Sequence, residues 1–155
     1  MGLNIIIIAD TMSHDKKMSA QGGSPRGRNP VVHFEMSAED RKRMSEFYTK
    51  VFGWKTQQLG AEMGDYVLVQ TTETDKDGMV KTPGTINGGF YQRKKDSVEP
   101  HLVIAVDDLD EHMAMVKKEG GTIAGEPMVI QGIGRFVMIK DTEGNKVGML
   151  QPKNM

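Results

Sequence analysis

Residues 31–52 read VVHFEMSAEDRKRMSEFYTKVF, and this stretch decides the fold. Residues 31–37 are largely apolar, open on two β-branched valines and follow a proline, which reads as a strand. From 38 to 52 the apolar residues are Met44, Phe47, Tyr48, Val51 and Phe52, whose spacings of three and four describe one face of a helix. Ser37 is the expected cap, with Glu39 and Asp40 near the positive end of the helix dipole, and Gly53 ends the element.

The reading extends outward in both directions. Residues 54–59 and 66–71 are expected strands with a turn near 61–65, residues 73–84 (ETDKDGMVKTPG) carry turn chemistry, and 85–93 resume as a strand. After RKKDSVEP the pattern restarts: 101–106 (HLVIAV) as a strand, then 107–119 as a helix burying Leu109, Met113 and Val116 and stopped by Gly120 and Gly121. Three strands follow at 122–130, 135–140 and 146–151. The order strand, helix, three strands is thus written twice. An offset of 68 residues carries His33 onto His101, Asp40 onto Asp108 and Gly53 onto Gly121, which supports an internal repeat.

Period-two alternation assigns faces. His33, Glu35 and Ser37 share one face of the first strand, opposed by Val32, Phe34 and Met36. In the 101–106 strand His101, Val103 and Ala105 oppose Leu102, Ile104 and Val106. The larger apolar set suits packing under the helices, so both histidines are expected on the helix-free side, in a cleft between two modules.

The stretches HFEMSAEDRKRMSEFYTKVFGW, HLVIAVDDLDEHMAMVKKEGGTI and KDTEGNKVGMLQP together resemble the vicinal oxygen chelate superfamily of glyoxalases, bleomycin-resistance proteins and extradiol dioxygenases. The resemblance covers about residues 31–152, with Thr142 where the family usually has proline. It implies an α+β fold: two βαβββ modules, about 31–94 and 100–152, forming a curved mixed sheet around a cleft with helices outside. It also implies metal ligands from the first, fourth, fifth and eighth strands. These fall on His33, Gly88, His101 and Gly148, so both imidazoles are kept and both carboxylates are replaced by glycine.

Two imidazoles alone bind a divalent metal weakly, which leaves the metal open as a cofactor and His33 and His101 as an incomplete site. Glu35 would complete a set of two histidines and one carboxylate, although residues i and i+2 on a strand are separated by almost 7 Å, about twice the per-residue rise. The same three residues, His33, Glu35 and His101, are the candidate acid/base groups, and a salt bridge from Glu35 to Arg135 or Arg93 is the competing structural role. Gly88, Phe90, Gly148 and Leu150 are the expected lining of a small-molecule pocket. The chain is therefore expected to act on a small oxygenated molecule as a lyase, isomerase or dioxygenase, or to sequester one as bleomycin-resistance proteins do.

Composition narrows the partners. A net charge of −1 with interspersed signs argues against nucleic acid or an anionic membrane. The absence of cysteine removes disulfides and thiolate metal sites and is compatible with a cytoplasmic location. Residues 1–30 read as a flexible lead-in whose apolar LNIIIIA is too short to span a bilayer. By resemblance, the expected assembly is a homodimer.

Overall fold

The computed structural model describes residues 28–76, 80–95 and 98–153. Most of the expected lead-in, including LNIIIIA, and the centre of the 73–84 loop lie outside the described residues. Among these residues are two α-helices, α1 (Arg41–Phe52) and α2 (Leu109–Lys118). Nine strands accompany them: β1 (Val31–Ala38), β2 (Lys55–Gln58), β3 (Val67–Gln70), β4 (Asn87–Gln92), β5 (His101–Ala105), β6 (Thr122–Ile123), β7 (Met128–Ile130), β8 (Gly134–Lys140) and β9 (Lys146–Pro152). They form one open mixed sheet in the order β2-β3-β4-β1-β5-β9-β8-β6, with β7 also on β8.

The two helices start alike. Asp40 caps α1 by accepting from Arg43 N, and Asp108 caps α2 by accepting from Glu111 N. Ser37 is therefore not the cap: it is still within β1, and its hydroxyl accepts from Arg93 Nε. At the other ends, Gly53 and Gly120 take the left-handed conformation that terminates each helix. Gly120 rather than Gly121 thus does for α2 what Gly53 does for α1. The expected strand over 122–130 is split into β6 and β7, with Gly125 at φ 129° and Pro127 between them.

Register exposes the internal symmetry. The 68-residue offset carries Phe34 onto Leu102, and these two are partners in the antiparallel β1/β5 ladder. A pseudo-two-fold axis therefore passes through that pair, and β4 beside β1 corresponds to β9 beside β5, both parallel. The axis lies within one chain, so the His33 and His101 of that chain belong to the same sheet.

The two faces of the sheet pack differently. Under α1 lie Val67, Val69 and Phe90 with Phe34, Met44, Tyr48 and Trp54. Under α2 lie Val106, Leu109, Val137, Ile139 and Met149. The opposite face gathers Tyr66, Val103, Ala105, Phe136 and Leu150. Leu59 and Met63 fold over it from one module, and Met128, Ile130 and Ile133 from the other. The helix-free face, expected as an open cleft, is thus largely filled by apolar side chains. Val32 joins this face against strict alternation because a β-bulge between Val31 and His33 inserts it as an extra residue.

Candidate functional site

β1 brings His33 and Glu35 to the helix-free face, where both are buried, at 2% and 1% exposure. Antiparallel pairing sets Glu35 directly opposite His101 on β5. His101 Nε2 lies 2.6 Å from Glu35 Oε2. On the other side of the carboxyl, the Tyr66 hydroxyl donates to Glu35 Oε1 at 3.2 Å. That hydroxyl also lies 3.0 Å from His33 Nε2. A phenol has one proton, and here it is spent on Glu35, so His33 must carry its proton on Nε2 and donate to the phenol oxygen. The result is a buried chain His33–Tyr66–Glu35–His101, in which Tyr66 and His101 bind the carboxyl directly and His33 binds Tyr66.

Electrostatics separate the two equivalent histidines. Burial, reinforced by the nearby His101, lowers the His33 pKa to about 3, so this imidazole is neutral. Burial raises the Glu35 pKa, with the His101 and Tyr66 hydrogen bonds opposing that shift. Burial first, and then the Glu35 carboxyl, hold the Tyr66 phenol well above its usual value. A carboxyl pushed upward and an imidazole 2.6 Å away are suited to sharing one proton. The asymmetry originates in sequence, because the offset that carries His33 onto His101 carries Glu35 onto Val103.

The lowered His33 pKa has a sign that can be measured. The unfolded chain binds a proton near pH 6.5 that the folded chain refuses until about pH 3. This contribution to stability is therefore complete above pH 6.5 and is lost as pH falls, with a limiting slope of about 1.4 kcal/mol per pH unit. The raised Glu35 pKa acts oppositely, since the folded state keeps that proton to higher pH. Denaturant unfolding of the wild type and of His33→Gln between pH 7 and 4.5 should isolate the first effect. The wild type should lose more stability on acidification than the variant, and equal pH dependence would contradict a buried neutral His33.

Other expected site residues fall elsewhere. Gly88 pairs with Phe34, and a Cβ on Gly88 would meet that ring at 2.5 Å, which puts it on the helix side. Phe90 is core beneath α1. The fourth-strand position that faces Glu35 is Gly89, where any side chain would collide with Tyr66. Gly148 and Leu150 do lie on the helix-free face, but Leu150 is fully buried and a Cβ on Gly148 would meet the Phe136 ring at 2.5 Å. The expected pocket lining is thus divided between two packed faces. Neither arginine reaches Glu35: Arg135 pairs with Asp110, and Arg93 reaches Glu39 and Ser37. Tyr66, the residue that joins the network, stands at the start of the strand expected over 66–71 and is not among the expected site residues. Its signal was a large residue sharing a face with Leu68, opposite a glycine on the next strand.

A family model described as the Glyoxalase/Bleomycin resistance protein/Dioxygenase superfamily matches residues 31–149, which is most of the chain. The chain belongs to that superfamily. Among curated glyoxalase-superfamily relatives, a probable lactoylglutathione lyase from Vibrio cholerae serotype O1 is 25% identical over 125 residues, covering 79% of this chain and 91% of the relative. Lactoylglutathione lyase from Escherichia coli O157:H7 is 23% identical over 130 residues, covering 80% and 93%. Among solved structures, the Streptomyces coelicolor methylmalonyl-CoA epimerase in complex with 2-nitronate-propionyl-CoA superimposes with a TM-score of 0.57 at 16% identity, covering 81% of this chain and 98% of that one. That last likeness shows the shared fold.

Superfamily membership raises the question of a divalent metal, and the donor set does not fit one. Both Glu35 oxygens and the Nε2 atoms of His33 and His101 are engaged with one another or with Tyr66. Among the described residues no group of three His, Cys, Asp or Glu side chains could hold a metal ion. None of the helices among the described residues is long and apolar enough to cross a membrane.

Proposed function

We propose that this chain is an acid/base enzyme of the glyoxalase superfamily that moves a proton at a carbon next to a carbonyl in a small oxygenated molecule. The observation that carries this reading is the buried 2.6 Å contact between Glu35 and His101. His101 is the network's outer member, its side chain 8% exposed against 2% for Glu35, so it is the group a substrate meets. Glu35 holds His101 by Nε2, leaving Nδ1 to take the substrate proton, and offsets the positive charge that appears on the ring. Returning the proton to the other face of the carbon gives an epimer, and returning it to the neighbouring carbon gives an isomer. The names of the relatives fit this class: lactoylglutathione and methylmalonyl-CoA are acyl thioesters with a C–H beside the thioester carbonyl. Oxygen chemistry is less well supported, because it would need a redox-metal donor set that these residues do not form.

The test is deuterium incorporation. S-Lactoylglutathione and methylmalonyl-CoA, incubated with the protein in D2O, should exchange the C–H beside the carbonyl in at least one case, read by proton NMR. Binding without exchange would favour the second reading, a protein that holds a small molecule without turning it over. One observation supports that alternative: among the described residues no buried side-chain nitrogen or oxygen lacks a partner, as in a network built for structure.

A homodimer is part of the proposal. The helices leave the outer face of β1 and β5 uncovered on the pseudo-two-fold axis, where Leu102 is 48% exposed beside a groove of about 440 Å³ lined by Phe34, Met36, Trp54 and Ile86. Phe47, Val51 and Phe52 extend the apolar surface along α1. Since α1 opens on Arg41, Lys42 and Arg43 while α2 opens on Asp108, Asp110 and Glu111, a second copy packed back to back can set α1 against its partner's α2. Sedimentation should show a dimer that Leu102→Glu converts to monomer; a monomeric wild type would contradict this.

A further inference from the structure

The internal repeat supplies a comparison within one chain. In the first module Leu68 pairs with Gly89, and Gly89 pairs with Glu35. In the second module Met138 pairs with Gly148, and Gly148 pairs with Val103. The positions two residues ahead of Leu68 and Met138 are Tyr66 and Phe136. Each of these rings is fully buried and fills the space over its module's glycine. The arrangement of an aromatic ring over a glycine is thus written twice. The two copies differ in one respect: the ring carries a hydroxyl only in the module whose first strand supplies a carboxyl. Tyr66 accompanies Glu35, and Phe136 accompanies Val103.

We infer that the Tyr66 phenol takes the place of a metal ion in this chain, bridging the His33 imidazole and the Glu35 carboxyl and excluding divalent cations from them. The bridge has the topology of a metal centre with longer legs. Its oxygen lies 3.0 Å from His33 Nε2 and 3.2 Å from Glu35 Oε1, whereas a metal would need both within about 2.0–2.2 Å. A cation entering this space would have to displace a ring packed against Gly89 and strip the phenol proton, which burial and Glu35 make hard to remove. Tyr66 therefore acts as a positioning residue for Glu35 and as a plug. The inference is independent of the reaction proposed above, since it concerns what the site can bind.

The test is titration of the chelator-treated protein with Co2+, read by calorimetry and by the visible absorption of the bound ion. The wild type should show no saturable binding. Tyr66→Ala removes the plug and frees His33 Nε2 and Glu35 Oε1. It should bind one equivalent at least tenfold more tightly than the wild type, and a further His33→Ala substitution should abolish that gain. One equivalent bound by the wild type and lost in His33→Ala would overturn the inference, as would a folded Tyr66→Ala that gains nothing. Should Tyr66→Ala fail to fold, the wild-type titration with its His33→Ala control decides alone. Loss of proton exchange without metal binding, or the reverse, distinguishes failure of the enzymatic reading from failure of this one.

Discussion

Glu35→Ala is expected to destabilise the fold by about 3–5 kcal/mol, the usual cost of removing one partner from a buried polar pair. The carboxyl is the common acceptor of the network. Without it the Tyr66 hydroxyl and His101 Nε2 lose their partner where little water can replace it. Glu35→Gln keeps the shape and one acceptor, so it should lose less, about 1–2 kcal/mol. By contrast, the exposed pairs Glu73–Lys81 and Glu46–Lys50 should each be worth no more than about 1 kcal/mol. Urea denaturation, comparing midpoints at constant slope, measures all of these. A Glu35→Ala loss no larger than that of a surface pair would mean that the network is not formed in solution.

The second large effect is on chemistry. In the deuterium-exchange assay, His101→Ala should slow exchange by about 10²–10⁴-fold, the range for losing a positioned general base. His33→Ala should slow it by less than tenfold, because His33 lies at the far end of the chain, three hydrogen bonds from His101. The two histidines occupy equivalent places in the two modules, so equal losses would show that position within the module, and not the Glu35 contact, decides function. Glu35→Gln should fall between them, since it keeps His101 oriented but removes the charge that balances a protonated ring.

The repeat that frames these expectations was legible in the sequence because it rests on local physics. Helical spacing in 38–52 and 107–119, alternation in 33–37 and 101–106, and stop signals at Gly53 and Gly120 all survive in the structure, while the bulge before His33 takes Val32 out of the alternation. Errors arose where a choice depended on a neighbouring strand. Ser37 and Asp40 both suit a cap, and because β1 runs one residue beyond the expected 31–37, to Ala38, the cap falls three residues later, on Asp40. Counting by family resemblance placed a ligand position at Gly88. The parallel register puts Gly89 there instead, and a shift of one residue reverses the face. The split between β6 and β7 follows from Gly125 and Pro127, both of which were visible.

The site was half legible. His33, Glu35 and His101 could be placed on one face from alternation alone. Their connection could not, because it depends on β1 pairing with β5 about the Phe34–Leu102 axis and on a tyrosine from β3's approach. Tyr66 carries no local mark of function. Only the glycine opposite its strand, and the phenylalanine at the same place in the second module, single it out.

The central claim is that a buried carboxyl binds Tyr66 and His101 directly, and His33 through Tyr66, with its shortest bond to His101. Proton and 15N NMR of the four histidine side chains tests it most directly. The prediction is one imidazole N–H resonance far downfield and slow to exchange, assigned to His101 Nε2 and lost in Glu35→Gln, with His33 neutral as its Nε2–H tautomer. Histidines that all exchange rapidly with solvent and titrate near pH 6.5, unchanged by Glu35→Gln, would contradict it.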